Sequence, residues 1–363
     1  MLNWTFSQKF NNPEDNPFDR LFKLFKELLI HTSGNVEEAL SWMTQLDKQY
    51  DLTDDKYGLP DFIQDLKDKG YLNEKKREAG MTPTSKLEIS LRQTALADIF
   101  EDLQKSKPGK HNTKIIGQGD EITEESRSYE YGDRLDKLSM TESLRNAQIN
   151  HGIDDFKLTQ QDLEVHETFF QTQTSTVLMI DISHSMILYG EDRITPAKKV
   201  AMALAELITT QYKKDTLDII VFGNDAWQIQ IKDLPYLQVG PYHTNTVAGL
   251  ELAMDLLRKR KNPNKQIMMI TDGKPTCIKK GKKYYKNAYG LDKKILSRTL
   301  GLASKCRKLN IPITTFMIAR DPYLVNFVDQ FTKANNGKAF YSSLKGLGEF
   351  IFMDYKSNKR KRR

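Results

Sequence analysis

From residue 176 onward, short runs that are apolar on both faces alternate with longer stretches of helical period, and this alternation restricts the fold more than any other feature. Residues 176–181, 217–223, 266–271 and 311–319 are rich in Val, Ile, Met and Phe and show no polar face. A strand that is apolar on both sides needs cover on both sides, which is the condition of a strand inside a parallel sheet flanked by helices. The intervening segments supply that cover. Residues 195–211, with Pro196 in the first turn, 246–260, 294–309, 323–334 and 347–355 read as helices, and 339–342 as one more strand. Residues 227–231 alternate apolar and polar after the turn signal Gly223-Asn224-Asp225, which predicts one antiparallel strand at an edge. The expected fold class is therefore α/β, a doubly wound and mostly parallel sheet.

The first third of the chain has a different period. Leu21, Phe22, Phe25, Leu28 and Leu29 recur at helical spacing, and after Ser33-Gly34 so do Val36, Leu40, Met43 and Leu46, which predicts an antiparallel helical pair over 17–50. A third helix fits 59–69, stopped by Gly70, and a fourth fits 86–104, stopped by Pro108-Gly109. Tyr71-Leu72 and Met81-Thr82-Pro83-Thr84 lie between them, an order that resembles part of a winged-helix unit. Residues 1–105 are thus read as a helical N-terminal domain. Residues 106–160 are polar, offer few apolar side chains to bury, and are expected to be a mobile linker; 161–355 form the α/β domain and 356–363 a basic tail.

A chain of 363 residues accommodates two domains with a core each, and 39% hydrophobic with 28% charged residues is the balance of a globular protein. No stretch approaches the roughly 18 consecutive apolar residues of a membrane span, and Met1 to Phe10 has no leader-like apolar run, so a cytoplasmic location and no membrane contact are expected. Cys277 and Cys306 give neither a disulfide framework nor a CxxC pair and are read as reduced thiols. The net charge of +7 is unevenly spread: Lys279, Lys280, Lys282, Lys283 and Lys286 form one block and the tail another. Such blocks attract phosphates or acidic partners, although a solvated loop is the plainer reading.

Ligands of open parallel sheets bind at the carboxyl ends of the strands, and the polar residues of this half gather there. The first strand empties into Asp181-Ile182-Ser183-His184-Ser185, a later one into Thr271-Asp272-Gly273, and Tyr242-His243-Thr244-Asn245-Thr246 leads into a helix. Carboxylate and hydroxyl oxygens without sulfur or an obligatory imidazole suit a hard cation, Mg2+ before Mn2+ or Ca2+. A cation with few direct negative ligands stays electrophilic, and an Asp or Glu of another protein can complete its shell.

Asp181-x-Ser183-x-Ser185, a threonine before a helix and Asp272-Gly273 after a strand resemble the metal-ion-dependent adhesion site of von Willebrand factor A (vWA) and integrin I domains, a Rossmann-like fold. The resemblance implies direct binding of the metal by Ser183 and Ser185, binding by Thr244 directly or through water, and waters held by Asp181 and Asp272. The Thr-Asn-Thr spacing also admits Thr246; Thr244 is preferred because it precedes the helix. The context at 175–181, 196–204, 233–235, 310–317 and 347–355 is similar to bacterial vWA proteins commonly linked with AAA+ ATPases of the MoxR or magnesium-chelatase type. That implies an adaptor or substrate-recruiting partner of such an ATPase rather than an enzyme.

Enzyme chemistry is not expected on other grounds. An aspartyl-phosphate phosphatase needs a second Asp where Ser183 stands, G-x-S-x-G is missing around Ser183, and no phosphate-binding G-x-x-x-x-G-K-[ST] occurs. Nucleic-acid binding through the N-terminal domain and basic tail is the alternative, but Glu37, Glu38, Asp54, Asp55, Asp61, Asp65 and Asp68 make that domain acidic.

Overall fold

The computed structural model describes residues 16–54, 56–74, 80–105, 121–130, 138–152, 157–169, 173–190, 192–318, 322–341 and 354–355. These form two compact units, residues 1–107 with 174–363 and residues 108–173.

The larger unit is built on a six-stranded sheet. Its strands, with the two of a preceding hairpin and the two of the smaller unit counted first, are β5 (Thr174–Asp181), β6 (Thr216–Phe222), β7 (Ala226–Ile229), β8 (Asn264–Thr271), β11 (Ile313–Met317) and β12 (Lys338–Tyr341). Their spatial order is β12-β11-β8-β5-β6-β7. All neighbours are parallel except β6 and β7, whose antiparallel register Phe222↔Ala226 folds back through Gly223-Asn224-Asp225 as the turn signal requires.

The two-sided apolar strands are explained by what each side meets. Leu178, Ile180, Ile219, Val221, Met268 and Ile270 join the core on one face, whereas Val177, Met179, Ile220, Phe222, Ile267 and Met269 join a second core on the other. The period of two along each strand sends alternate residues to opposite faces, and both faces are dry. The second core is closed by helices α7 (Thr246–Lys259), α8 (Lys293–Lys308) and α9 (Pro322–Asn335) through residues such as Leu250, Cys306 and Phe327. The first is closed by helix α6 (Ile194–Gln211). The expected doubly wound, mostly parallel sheet is borne out.

Helix α6 has no wet side over most of its length. Every residue from Val200 to Ile208 is buried, because the sheet covers one side and the N-terminal helices cover the other. Those helices are α1 (Pro17–His31), α2 (Val36–Tyr50), α3 (Leu59–Asp68) and α4 (Ser85–Lys105), with a hairpin of β1 (Leu72–Glu74) and β2 (Met81–Pro83) between α3 and α4. Leu21, Phe25, Leu87 and Leu91 therefore share one core with Ala197, Ala201 and Leu204. Polar contacts fix the arrangement: Arg92 pairs with Glu206 at 3.1 Å, Lys199 pairs with Glu27, and the fully buried Lys198 donates from Nζ to the carbonyl of Ile30 at 2.9 Å and the hydroxyl of Ser33 at 3.0 Å. The N-terminal region is helical as expected. It is not a separate domain, because an α6 whose residues 200–208 are nearly all apolar on every side cannot be left exposed. One side of helix α4 packs along α6.

The polar linker expected over 106–160 is a second correction. Residues 108–173 form their own compact unit, in which β3 (Glu121–Ser128) pairs antiparallel with β4 (Glu164–Phe169) beside helix α5 (Met140–His151). Its interior is held by polar groups. The buried Asp162 accepts from the Thr159 backbone N–H at 2.8 Å, from the Thr159 hydroxyl at 2.6 Å and from Asn150 Nδ2 at 2.6 Å, and Ser143 accepts from the Glu164 N–H at 2.8 Å. A segment that satisfies its chain this way carries little apolar period to read. The α/β unit consequently starts at Thr174 rather than 161. Residues 106–120, the basic tail 356–363 and most of the expected helix 347–355 lie outside the described residues.

The lysine block expected to be a loop is a hairpin, β9 (Cys277–Lys280) and β10 (Lys283–Lys286), turned at Gly281 with φ +58°. Cys277 and Cys306 are both buried and free. Among the described residues no helix is long and apolar enough to cross a membrane.

Candidate metal centre

Strand β5 is the sheet's switch point: the chain leaves it for β6 on one side and returns to β8 on the other, which opens a crevice above their carboxyl ends. Asp181 closes β5 and Thr271 closes β8, so Asp181 and Asp272 face one another across that crevice.

Asp181 is fully buried. Its Oδ1 accepts the Ser183 N–H at 2.9 Å, which tightens the turn after the strand, and its Oδ2 accepts the Thr271 hydroxyl at 2.7 Å. Burial first, and then the nearby charge of Asp272, push its carboxyl above the usual carboxylate range. Ser183 and Ser185 project from the same turn with Oγ atoms 3.1 Å apart. The Thr244 hydroxyl donates to Ser183 Oγ at 3.0 Å, and Ser185 Oγ donates to Asp272 Oδ1 at 2.7 Å. All five predicted residues therefore converge.

Thr244, not Thr246, presents its hydroxyl here, and the reason is helix capping. Asn245 accepts the Ala248 N–H at 3.1 Å as N-cap of α7, which leaves Thr244 outside the helix and Thr246 as its first residue. Asn245 is held in turn by its Nδ2 on the Asn224 carbonyl at 2.7 Å and its N–H on the Gly223 carbonyl at 2.8 Å. The antiparallel edge turn thus positions the threonine loop.

One site residue had no counterpart in the sequence reading. Arg193, the residue before α6, donates from its guanidinium to Asp272 Oδ2 at 2.8 Å, and only 12% of its side chain is exposed. Its N–H also donates to the Met186 carbonyl at 3.0 Å, which closes the turn carrying the serines. A basic residue before a helix has many roles, and nothing in its local sequence singles it out.

The donor set tests well against a hard divalent cation. Oxygen–oxygen separations of 3.1 Å (Ser183 to Ser185) and 3.0 Å (Ser183 to Thr244) are hydrogen-bond lengths and also match the roughly 3.0 Å edge of an octahedron with ligands at about 2.1 Å. A Cβ on Gly273 would stand 3.2 Å from Ser185 Oγ and 3.4 Å from Thr244 Oγ1, so the glycine keeps the space between the hydroxyls clear. Two buried carboxylates beside one guanidinium leave one negative charge uncompensated, which a cation offsets. Among the described residues no three His, Cys, Asp or Glu side chains gather into a metal-binding group, so hydroxyls would have to provide most direct ligands. His184 is exposed, and His243 is partly buried, its imidazole pushed down by burial and by the charge of Lys286.

Residues 174–356 match the family model described as "Rv0959-like protein, vWA domain", and residues 121–168 match "Rv0959-like protein, third domain". The Mycobacterium tuberculosis protein Rv0959 is 30% identical over 275 residues, covering 73% of this chain and 40% of that protein, and Mb0984 of Mycobacterium bovis gives the same values. The chain thus spans less than half the length of these relatives. Among solved structures, a D319A mutant of the PilB minor pilin from Streptococcus sanguinis is similar over 55% of this chain and 64% of that one, with TM-score 0.45 and 14% identity. The vWF domain of the pilus tip protein Mfa5 from Porphyromonas gingivalis is similar over 54% of this chain and 98% of that one, with TM-score 0.44 and 11% identity.

Proposed function

Since the chain belongs to the Rv0959-like family of vWA-domain proteins, we propose that it is a metal-dependent protein-interaction module, a non-catalytic one that grips a carboxylate of its partner. The observation that carries this reading is the convergence of three hydroxyls, from Ser183, Ser185 and Thr244, with Asp272 above the switch point. The hydroxyls would hold Mg2+, and Asp181 and Asp272 would act on it through water. Bound there, the cation supplies an electrophilic coordination place for one oxygen of a partner's Asp or Glu. Neutral hydroxyl ligands leave that charge largely unspent, which is why an outside carboxylate is attracted. Charge bookkeeping agrees: two carboxylates, one guanidinium and a divalent cation sum to +1, which one partner carboxylate neutralises. The vWA fold is a protein-interaction fold, and the similarity noted in the sequence points to a MoxR-type AAA+ ATPase as the partner.

Calorimetric titration of the full chain with Mg2+ and Mn2+ tests the reading. Heat of one-site binding that disappears in Ser183→Ala supports it; no heat in the wild-type protein refutes it.

A further inference from the structure

We propose that the lysine-rich β9–β10 hairpin is a docking surface for an acidic segment of the partner, whose carboxylates continue outward from the one that reaches the cation. This inference rests on the metal-dependent reading above.

The hairpin is strapped to the site. The Thr244 carbonyl accepts the N–H groups of Thr276 at 2.9 Å and Cys277 at 3.2 Å, and the Thr244 N–H donates to Thr276 Oγ1 at 3.0 Å. The loop that carries a candidate ligand and the base of the hairpin are thus one hydrogen-bonded piece. Cys277 and Ile278 are buried and anchor it, with Ile278 against Val247 and Ile295.

Its charge is lopsided. Eight lysines lie between Gly273 and Ile295 against a single acid, Asp292, and that acid is committed to capping α8 through the N–H groups of Lys294 and Ile295. Among the described residues Lys280, Lys282, Lys283 and Lys286 form no ion pair. The register sets Lys280 directly opposite Lys283, and like charges in that position destabilise a two-stranded ribbon. Lys280 and Lys294 crowd one ring, their ammonium groups 5.3 and 5.2 Å from the centre of Tyr285. A hairpin arranged against its own stability in this way fits a surface kept for an anion. Lys286 stands opposite Cys277 in the register, and the Cys277 N–H is on the Thr244 carbonyl, so the basic strip reaches the rim of the site.

The chain itself shows which anion the hairpin seats. The carboxylate of Asp225 takes the Lys279 ammonium at 2.9 Å on one oxygen and the Tyr284 hydroxyl on the other, and the neighbouring Tyr285 hydroxyl donates to Asp292 at 2.9 Å. One carboxylate thus already settles between a lysine and a tyrosine of the hairpin, and a second on the neighbouring tyrosine. An acidic peptide supplies more of them and is continuous with a site whose chemistry takes a carboxylate, which favours it over a phosphate backbone.

Fluorescence anisotropy of a labelled octaglutamate peptide tests this on the full chain, with Lys282→Glu/Lys283→Glu/Lys286→Glu as the variant and Mn2+ calorimetry on both proteins. These lysines are exposed, so the fold should persist. In Mg2+ the variant should bind the peptide about tenfold more weakly than wild type, with one-site Mn2+ binding kept and no weaker than in wild type, and EDTA should weaken wild-type binding. Equal peptide binding by variant and wild type, with normal Mn2+ heat, overturns the hairpin surface and leaves the metal site standing. Absence of Mn2+ heat in both refutes the metal site first and this inference with it. EDTA-insensitive binding of the peptide, or tighter binding of a short DNA duplex than of octaglutamate, overturns the proposal.

Discussion

Arg193 and Asp272 are 79 positions apart in the chain and meet through one contact of 2.8 Å, on the carboxylate oxygen that Ser185 does not use. The two oxygens of Asp272 thus face different partners, Oδ1 the site and Oδ2 the guanidinium. A buried carboxylate shared in this way is fixed in orientation as well as in charge.

Removing the guanidinium leaves Asp272 near Asp181 without a compensating cation. Arg193→Gln should lower stability in EDTA by about 2–3 kcal/mol. Saturating Mg2+ should restore more of the urea midpoint in this variant than it adds to wild type. Equal gains from Mg2+ in both would show that Arg193 has no electrostatic link to the metal.

Asp181 gives the opposite sign. Its carboxyl is pushed up by burial and by Asp272, so holding it ionised costs stability in the metal-free protein. Asp181→Asn should be about 1 kcal/mol more stable than wild type in EDTA. The amide is tolerated because the Thr271 hydroxyl, 3.1 Å from the Gly273 carbonyl, can turn its proton there and accept instead. The variant should lose all stabilisation by Mg2+. Thermal melts with and without metal decide it, and a variant weaker than wild type in EDTA would contradict the argument.

The two threonines are separable by an isosteric change. Thr244→Val removes the hydroxyl that meets Ser183 and should cost about tenfold or more in Mn2+ affinity. Thr246→Val, at the first helical position, should stay within about threefold by the same titration. The reverse ranking would move the ligand to Thr246.

Lys198 makes the joint between helical layer and sheet sensitive to pH. Burial pulls its ammonium down from 10.5 to about 8, against the opposing charge of Asp192. Below about 8 the lysine is charged in folded and unfolded chains alike, and the burial cost is present in full. Between about 8 and 10.5 the folded state gives up its proton first, so stability rises with pH, by at most roughly 3 kcal/mol. At pH 7 Lys198→Met loses bonds to Ile30 and Ser33 but also sheds a buried charge, a net cost of about 1 kcal/mol. Urea unfolding at pH 7 and pH 10 should show wild type pulling further ahead of the variant at the higher pH; a constant gap would refute the shift.

The sheet was legible because its strands are dry on both faces and leave unbroken apolar runs, as in Val177 to Ile180. The convergence of Asp181, Ser183, Ser185, Thr244 and Asp272 was legible because all stand at strand ends or just before a helix, where chain order alone predicts proximity. Arg193 was not, since its contact spans two elements and depends on the turn closed by its own N–H on Met186. The unit of residues 108–173 was missed because polar bonds, such as those around Asp162, hold it without an apolar period. The sharing of one core by α1, α4 and α6 had a signal that was present but unread: residues 200–208 offer no polar stripe for water.

Helix α6, covered on both sides, imposes an order on the making of the protein. Residues 106–193, 88 positions by their numbering, separate α4 from α6, and a ribosome adding about 5–20 residues per second needs roughly 4–18 s to cross them. Throughout that interval α1 and α4 have been synthesised while the helix they are shaped to cover is still untranslated. A nascent chain stalled before residue 194 should therefore be a preferred client of holding chaperones, and the completed chain should not.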